Sequence, residues 1–389
     1  MRIVLSGGGT AGHINPALAL AEVLQEQGHE VLFAGTSQGI ESRLVQEAGI
    51  PFKPFEAQGF DRSRPLGIFG ALRTLAGSTR DAKRWLLGQG VDAVAVFGGY
   101  VCLPIGRAAV SLGIPLVVHE QNSVMGLANK HLAKHAHTVA LTYDLATGTP
   151  QGLRKAKGQA DRQGKAVCPQ VVLTGNPVRK AIALASRQAG REYLCLPQDA
   201  LVLLVFGGSL GARHINQALI SCKDRLLKIE GLYLVQVSGP KDYEWARDAL
   251  ALAPEEQERW KLFAYQDRMA EVLAAADMVL ARAGATSLAE ISARKLPALL
   301  VPFPFATGDH QTSNARSYVA SGAAALISDA DLDTPAFAEQ LFALIEQPEL
   351  RAAMQKAAQG LATGDAAARL ADVVIAATGK AHNGYNTVS

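Results

Sequence analysis

The chain has few cysteines, little excess charge and no long apolar run. Its 389 residues include four cysteines, Cys102, Cys168, Cys195 and Cys222, and none has the C-x-x-C spacing of a zinc or redox site. Unpaired thiols are typical of cytoplasmic proteins. The formal net charge of +3 is too small to indicate a nucleic-acid partner by itself. We therefore predict no disulfide framework, no zinc site and no nucleic-acid binding.

Segments that export or anchor a protein are equally lacking. Residues 1–6, MRIVLS, run straight into glycines, which predicts a strand and a turn rather than a secretory signal peptide. No apolar run approaches the roughly 20 residues of a membrane span. We expect a protein that is made and kept in the cytoplasm and is still able to touch a membrane surface.

The apolar residues that are present predict two domains. Hydrophobic residues make up 49% and charged residues 19%, and this length suits two well-packed α/β domains. Short β-branched and leucine-rich runs alternate with helical patterns, as in βαβ units. The predicted strands are residues 3–6, 30–34, 93–97, 116–119 and 138–142, then a second series at 201–206, 232–238, 261–264, 278–281, 298–302 and 324–327. The restart predicts two Rossmann-like domains with parallel sheets that face each other across a cleft.

Polar segments mark the domain boundary and the end of the chain. Residues 147–170 are rich in Gly, Lys, Arg and Gln, which predicts a mobile surface loop. TGNPVR at 174–179 then ends a strand and forms a hinge, so we place an N-terminal domain at 1–177 and a C-terminal domain at 178–364. A last helix, 365–378, is expected to pack back on the N-terminal domain, and residues 380–389 are expected to be disordered.

The first strand ends in a glycine turn, GGGTAGH at residues 7–13, whose amides can approach a pyrophosphate or a sugar. Asn15 and Pro16 predict the cap and the first residue of the next helix. The second strand ends at Thr36 without the acidic residue that an NAD site requires, and no Gly-Lys-Ser/Thr follows for a P-loop. His13 is a candidate proton acceptor for an attacking hydroxyl. The alternative is a histidine that only hydrogen-bonds the loop.

A second glycine turn, GGSLGAR at residues 207–213, repeats the pattern. Its amides, the Ser209 hydroxyl and the helix N-terminus suit the charge of a departing diphosphate, and the alternative is close packing of helix on strand. At the junction 282–290, Ser287 and Glu290 fit a capping box. The alternative there is a Glu290 carboxylate that chelates a ribose diol.

Three other segments carry polar side chains. His310 and Gln311 follow a proline-rich loop and are candidate partners of sugar hydroxyls, whereas Asp309 suits helix capping. HEQN at 119–122 ends a strand at the same rim, with a satisfied core histidine as the alternative for His119. DAD at 329–331 imitates the D-x-D of metal-dependent transferases; we interpret it as a helix start and assign no metal.

Residues 60–87 combine six basic side chains with interleaved apolar ones. The basic residues are Arg62, Arg64, Arg73, Arg80, Lys83 and Arg84. Such a surface suits an anionic membrane interface. The alternative is a helix with its apolar side in the core and its charges in water.

The ordered set of motifs closely resembles the MurG family of glycosyltransferase family 28, over residues 1–377. The motifs are GGTAGH (8–13), HEQN (119–122), GNPVR (175–179), GGSLGAR (207–213), the junction 282–290 and DHQ (309–311). Ala11 departs from a glycine common in that family. The resemblance implies a GT-B fold, with UDP-GlcNAc held mainly by the C-terminal domain and the lipid acceptor by the N-terminal one, and no metal or cofactor.

The resemblance also implies roles for individual residues. Thr10, Ala11 and Gly12 would border the donor sugar, and Asn122 and Gln311 would touch it. Arg179 and Ser209 would serve the nucleotide and diphosphate, and the backbone at Gln266 would meet the uracil. The nucleoside would be surrounded by Ala285, Thr286, Ser287, Leu288, Ala289 and Glu290, with Glu290 on the ribose.

The implied reaction is inverting transfer of N-acetylglucosamine to the 4-hydroxyl of lipid I, undecaprenyl-pyrophosphoryl-MurNAc-pentapeptide. The product is lipid II, a precursor of peptidoglycan. The enzyme would lie on the cytoplasmic face of the inner membrane, with cell-wall synthesis or division proteins as candidate partners. Two alternatives are a GT-B transferase for a diacylglycerol or small-molecule acceptor and a non-catalytic UDP-sugar-binding or membrane scaffold protein.

Overall fold

A computed structural model describes residues 1–57, 67–143, 169–208, 211–361 and 365–379. The chain divides into two compact units. Unit 1 comprises Met1–Arg179 and the segment that begins at Asp365, and unit 2 comprises Lys180–Gly364. The loop expected at 147–170 lies outside the described residues except for its last two positions, as does the tail at 380–389.

Unit 1 is built on a seven-stranded parallel sheet of order β3-β2-β1-β4-β5-β6-β7. Its strands are β1 (Arg2–Ser6), β2 (Glu30–Gly35), β3 (Phe52–Pro54), β4 (Ala93–Val96), β5 (Leu116–Glu120), β6 (Thr138–Leu141) and β7 (Gln170–Leu173). The helices up to residue 143 are α1 (Ala11–Glu26), α2 (Ile40–Glu47), α3 (Gly67–Gln89), α4 (Cys102–Leu112) and α5 (Leu127–Leu132).

Unit 2 repeats the plan with a six-stranded parallel sheet of order β10-β9-β8-β11-β12-β13. Its strands are β8 (Leu201–Phe206), β9 (Leu232–Val237), β10 (Trp260–Phe263), β11 (Met278–Ala281), β12 (Ala298–Leu300) and β13 (Ala324–Leu326). Its helices are α6 (Lys180–Leu184), α7 (Arg187–Tyr193), α8 (Arg213–Ser221), α9 (Lys223–Leu226), α10 (Tyr243–Leu250), α11 (Pro254–Arg259), α12 (Met269–Ala275), α13 (Ala285–Ala293), α14 (His310–Ala320), α15 (Pro335–Glu346) and α16 (Pro348–Gln359).

The last described helix, α17 (Ala366–Ala377), belongs to unit 1. Its Leu370 and Val374 are fully buried in the same apolar cluster as Leu5 of β1 and Leu20 of α1. Arg369 also donates to the carbonyl of Thr174 at 3.0 Å. The first sheet is therefore covered on one face by a helix from the far end of the chain.

Both faces of the first sheet are buried, which explains its sequence pattern. Ile3 and Leu5 of β1 enter one apolar cluster, and Val4 enters the cluster on the opposite face, because successive strand side chains alternate. Strands buried on both faces are continuous apolar runs. The predicted α/β fold with two parallel sheets is confirmed.

The short edge strand β3 was not predicted. It has three residues, Phe52–Pro54, and its proline cannot donate to a further strand, which is tolerated only at an edge. So short a run carries no periodicity. None of the described helices combines the length and apolar character needed to cross a membrane.

Candidate functional site

In each sheet the strand order reverses beside its first strand. β1 lies between β2 and β4 in unit 1, and β8 lies between β9 and β11 in unit 2. Open α/β sheets bind ligands outside the carboxyl ends of the strands at such a point. The two glycine turns follow β1 and β8, so the topology places each at the expected ligand position of its own sheet.

The helix after the first turn begins earlier than predicted. α1 starts at Ala11 with Thr10 as the N-cap residue, and Pro16 lies inside the helix. The predicted start at Asn15 and Pro16 is therefore wrong. The residues after Thr10 are already helical, although no side chain caps the helix. Pro16 lacks an N–H and so removes one backbone hydrogen bond. The deeply buried apolar face of α1 tolerates this loss. His13 thus lies in the first turn of α1.

The His13 ring has a defined orientation. Its Nδ1 lies 2.9 Å from the carbonyl oxygen of Gly8. A carbonyl only accepts, so Nδ1 carries the proton and Nε2 keeps its lone pair. A Cβ at Gly98, whose φ is +108°, would lie 3.0 Å from Nε2. The ring therefore presents a proton-accepting nitrogen, and the loop after β4 needs glycine beside it.

Sequence reasoning missed Glu41, a fully buried carboxylate at the start of α2. It accepts hydrogen bonds from the N–H and hydroxyl of Thr36, at 3.0 and 2.6 Å, and from the N–H of Gly9 at 3.3 Å. An acidic side chain thus does reach the end of β2, but it binds two backbone N–H groups and a hydroxyl of the protein itself. A glutamate in a first helical turn is ordinarily a partner of the helix dipole, so no sequence pattern singles out Glu41.

The HEQN segment lies at the carboxyl end of β5 in unit 1. His119 is fully buried, and burial lowers its pKa to about 4. Its Nε2 donates to the carbonyl of Gly175 at 3.0 Å, and its Nδ1 accepts from Gln121 at 3.1 Å. The satisfied core histidine is therefore the correct interpretation, and the ring ties the end of β5 to the segment after β7.

Glu120 shapes the loop that carries Asn122. Its buried carboxylate accepts the N–H groups of Asn122 and Gly126, both at 3.0 Å, and the side-chain amide of Asn129 at 2.9 Å. Asn122 is itself half-buried at the carboxyl end of β5. Arg179, at the end of unit 1, forms a 2.9 Å ion pair with Glu22 of α1.

In unit 2, α8 begins at Arg213, directly after the second glycine turn. Ser209 of that turn lies outside the described residues. Gly211 has φ +81°, and a Cβ there would overlap the carbonyl oxygen of Ser238. Buried Asn216 of α8 donates to the same carbonyl at 2.9 Å. The start of α8 is therefore held against the end of β9.

The nucleoside candidates lie on α13, which begins at Ala285 with Gly284 as its cap. Ser287 and Glu290 are inside the helix, so the capping-box interpretation is wrong. The cap residue Gly284 has no side chain that could cap the helix, so the true start carries no capping signal. The polar pair Ser287 and Glu290, three residues apart, resembles a capping box further along the chain. Ala285 and Leu288 are buried, whereas Glu290 is half-buried at the helix surface. Thr286, Ser287 and Ala289 are half-buried as well.

Gln311 joins two strand ends. Its Oε1 accepts the N–H of Ala283 at 3.1 Å and the N–H of Phe303 at 2.9 Å. Two backbone donors fix the amide orientation, so the NH₂ group is the end left to donate elsewhere. Asp309 precedes α14 and accepts from the Thr312 hydroxyl at 2.7 Å.

Gln266 is 6% exposed, and its side-chain oxygen accepts from the hydroxyl of Tyr193 at 2.9 Å. Its side chain is thus engaged within unit 2, and the predicted contact with uracil is one of its backbone.

Two family models match most of the chain. The glycosyltransferase family 28 N-terminal domain matches residues 3–141, and the family 28 C-terminal domain matches residues 202–370. The chain belongs to glycosyltransferase family 28. This family 28 glycosyltransferase therefore carries both domains of its family in order, and the C-terminal match runs past the end of unit 2 into α17 of unit 1.

Curated relatives match it over similar lengths. A UDP-N-acetylglucosamine–N-acetylmuramyl-(pentapeptide) pyrophosphoryl-undecaprenol N-acetylglucosamine transferase of Halothermothrix orenii is 38% identical over 336 residues, 85% of this chain and 87% of its own. A protein of the same name from Leuconostoc mesenteroides is 37% identical and covers 98% of this chain and 100% of its own. The crystal structure of MurG from Acinetobacter baumannii has a TM-score of 0.67 at 29% identity, over 96% of this chain and 99% of that one.

The D-x-D segment of this family 28 glycosyltransferase is a short 3₁₀ helix, Asp329–Asp331. Asp329 contacts Arg282 at 2.5 Å and Nδ1 of His214 at 2.8 Å, and Nε2 of His214 contacts Asp333 at 3.0 Å. The Asp329 carboxylate thus pairs with cations of the protein, in keeping with a structural helix start. The cluster ties the first turn of α8 to the segment after β13.

A pH dependence of stability follows from His214. Its hydrogen bond to Asp329 raises the pKa of the imidazole above its ordinary value. The resulting stabilisation is complete below about pH 6.5, the pKa of histidine in the unfolded chain. It is lost as the pH rises through the pKa of His214 in the folded protein. We expect the melting temperature to fall less between about pH 6 and pH 9 in His214→Gln than in wild type, as measured by thermal melts. Equal falls in the two proteins would contradict this.

Proposed function

We propose that this enzyme transfers N-acetylglucosamine from UDP-GlcNAc to the 4-hydroxyl of lipid I, forming lipid II for peptidoglycan synthesis. The observation that carries the proposal is the near-full-length match, at 37–38% identity, to transferases named for this reaction. Both glycine turns follow the strand beside which the order of their sheet reverses, where open α/β sheets bind ligands, and this supports a nucleotide-sugar enzyme. No observation favours a diacylglycerol or small-molecule acceptor.

The chemistry is a direct displacement with inversion. The acceptor hydroxyl attacks the anomeric carbon of α-linked UDP-GlcNAc, a β-1,4 bond forms, and the bond to the diphosphate breaks. Nε2 of His13 takes the hydroxyl proton, since Nδ1 is already committed to Gly8, and UDP leaves with the bonding electron pair. The N-terminus of α8 and Ser209 stabilise the departing charge.

The donor contacts are divided among several segments. Thr10, Ala11 and Gly12 border the donor sugar, and Asn122 meets it from the loop that Glu120 shapes. Gln311 donates to a sugar hydroxyl through its NH₂ group, since its Oε1 already accepts two backbone N–H groups. Arg179 serves the diphosphate, exchanging its present partner Glu22 for phosphate oxygens. The backbone at Gln266 meets the uracil, and residues 285–290 surround the nucleoside.

The activity is tested with purified protein, UDP-GlcNAc and a lipid I analogue. We expect UDP release together with a product that carries one added N-acetylglucosamine, and no turnover with diacylglycerol. The same reaction in excess EDTA checks the expected independence from metal. UDP-GlcNAc binding without UDP release would support a binding protein instead. Turnover with diacylglycerol and not with the analogue would support the other transferase class.

Glu290 provides a test of the ribose contact. We expect Glu290→Ala to raise the KM for UDP-GlcNAc by about 10-fold or more, because hydrogen bonds to a charged group contribute about 1.5–3 kcal/mol. A contact made equally in the ground and transition states leaves kcat within about twofold. Steady-state kinetics measure both constants. Glu349→Ala, an exposed position in the first turn of α16, is the control. An unchanged donor KM in Glu290→Ala would argue against the contact.

We also propose that α3 faces an anionic membrane on the cytoplasmic side. Arg80, Arg84 and Leu87 are exposed there, Leu87 at 65%, while Leu86 is buried in the core. Arg62 and Arg64 lie outside the described residues. Cell-wall synthesis and division proteins stay candidate partners at the same membrane.

Vesicle binding tests this surface. We expect salt-sensitive sedimentation with vesicles of anionic phospholipid, weakened about 10-fold or more when Arg80, Lys83 and Arg84 are changed to Gln, at about 1 kcal/mol for each charge near the surface. The charge-matched control changes Lys228, Lys241 and Arg247, all exposed in unit 2. Equal losses in the two variants would show a non-specific charge effect and contradict the assignment to α3.

A further inference from the structure

Glu41 joins two parts of unit 1 beneath the first glycine turn. Its Oε1 accepts both hydrogen bonds from Thr36 at the end of β2, and its Oε2 accepts the N–H of Gly9. The side chain is 0% exposed. A full carboxylate is thus placed where no solvent screens it, with its hydrogen-bond donors supplied by the protein itself.

The N–H of Gly9 and the carbonyl of Gly8 belong to the same peptide group. In a trans peptide these two groups point in opposite directions. The N–H points to Glu41, and the carbonyl oxygen lies 2.9 Å from Nδ1 of His13. One peptide group therefore connects the Glu41 carboxylate on one side with the His13 imidazole on the other.

Three glycines make room for this carboxylate. A Cβ at Gly8 would lie 2.7 Å from its Oε1, and a Cβ at Gly35 would lie 2.7 Å from Cγ of Glu41. At Gly39 a Cβ would overlap the carboxylate. The requirement for glycine at these positions thus has a cause other than the approach of a phosphate, and the turn is shaped around Glu41.

Hydrogen bonds in a chain polarise one another, and a charge at one end strengthens the bonds beyond it. We propose that Glu41 is a positioning residue that acts on His13 through the Gly8–Gly9 peptide. It holds the Gly8 carbonyl against Nδ1 and increases the proton affinity of Nε2. No proton passes along the chain: Nε2 takes the proton of the acceptor hydroxyl, and Nδ1 keeps its own. The inference rests on the proposed role of His13 as the general base.

The test is Glu41→Gln, which keeps the size of the side chain and removes its charge. We expect kcat to fall about 10-fold, less than the 10²–10⁴-fold that a general base contributes. The acid limb of the kcat–pH profile should move to lower pH, because Nε2 then binds a proton more weakly. The KM for UDP-GlcNAc should stay within about twofold. Nitrogen-15 spectra of histidine-labelled protein should show the His13 ring shifted away from the Nδ1–H tautomer, with its signals assigned by their absence in His13→Gln.

Thr36→Val is the matched control. It removes a hydrogen bond to the same carboxylate and keeps the charge, so we expect a lower melting temperature with the acid limb and the ring signals in their wild-type positions. Circular dichroism and UDP binding report whether each variant is folded. Glu41→Asp, which keeps the charge and withdraws it from Gly9, is measured in parallel. A reduced kcat and a displaced ring signal are expected there as well.

The outcomes separate this inference from the function on which it rests. If His13→Ala is inactive while Glu41→Gln and Glu41→Asp keep the wild-type acid limb and ring signals, Glu41 has a structural role alone and the inference is wrong. If His13→Ala turns over at near the wild-type rate, the assignment of the base is wrong, and the inference is overturned with it.

Discussion

His13→Ala is expected to lower kcat by about 10²–10⁴-fold, the range that a positioned general base contributes. The variant removes the one imidazole of the first glycine turn, whose Nε2 keeps its lone pair because Nδ1 faces the Gly8 carbonyl. The KM values for donor and acceptor should change little, since the ring acts on a proton that moves only in the transition state. Initial rates at saturating concentrations of both substrates measure the effect.

The control for this substitution is His135→Ala. His135 is exposed in unit 1 and has no assigned role in the reaction, so its loss should leave turnover near the wild-type value. His13→Gln should be as inactive as His13→Ala, because an amide does not accept a proton at neutral pH. Turnover of His13→Ala within a few-fold of wild type would remove the histidine from the mechanism.

Gly211→Ala is expected to damage unit 2 strongly, because both the backbone conformation and the space at this position require glycine. The residue has φ +81°, and a Cβ would overlap the Ser238 carbonyl oxygen, so strain and overpacking add to about 3 kcal/mol or more. Relief requires the start of α8 to move away from β9. We expect a lower melting temperature and a loss of UDP affinity of about 10-fold or more, measured by thermal melts and calorimetry, because displaced amides no longer meet the diphosphate.

Gly231→Ala is the matched control for that experiment. Gly231 also has a positive φ, +73°, but no atom of the described chain lies within 4 Å of a Cβ built there. Backbone strain alone costs about 1–2 kcal/mol. Gly231 accepts from the N–H of Leu201 at the start of β8, whereas the glycine turn follows the other end of that strand. We expect a modest loss of stability with unchanged UDP affinity. Equal effects of the two substitutions would show that backbone strain, and not the overlap with Ser238, decides the result.

The sheets were predictable from sequence because their strands are buried on both faces. Runs such as residues 201–206 and 278–281 are continuously apolar, and the structure places strands there. β3 was not predicted, because an edge strand of three residues that ends in Pro54 is too short to show a hydrophobic periodicity. Helix starts were predicted less well. α1 and α13 begin at Ala11 and Ala285, and neither of their cap residues, Thr10 and Gly284, makes a side-chain cap hydrogen bond. The polar and proline signals that follow were therefore misleading.

The candidate site also contains residues that the sequence could predict and residues that it could not. The glycine turns and His13 could be identified because a strand, a turn and a helix follow one another along the chain. Glu41 could not, since its contact with Gly9 joins residues 32 positions apart through a fold that pairs β1 with β2. The structure also separates neighbours that the sequence presents alike: His119 holds the backbone of Gly175, whereas Asn122 lies half-buried at the rim. The ligand assignments themselves stay predictions.

The contribution of α17 to unit 1 has a consequence for synthesis on the ribosome. Unit 2, Lys180–Gly364, is made in full between the last strand of the first sheet and the helix that covers that sheet. At about 5–20 residues per second, a unit of this length takes roughly 10–40 s to translate. During that interval the apolar side chains that later meet Leu370 and Val374 are uncovered. The nascent first half must therefore avoid aggregation while the second half is synthesised, and a chain that stops before α17 never completes its N-terminal core.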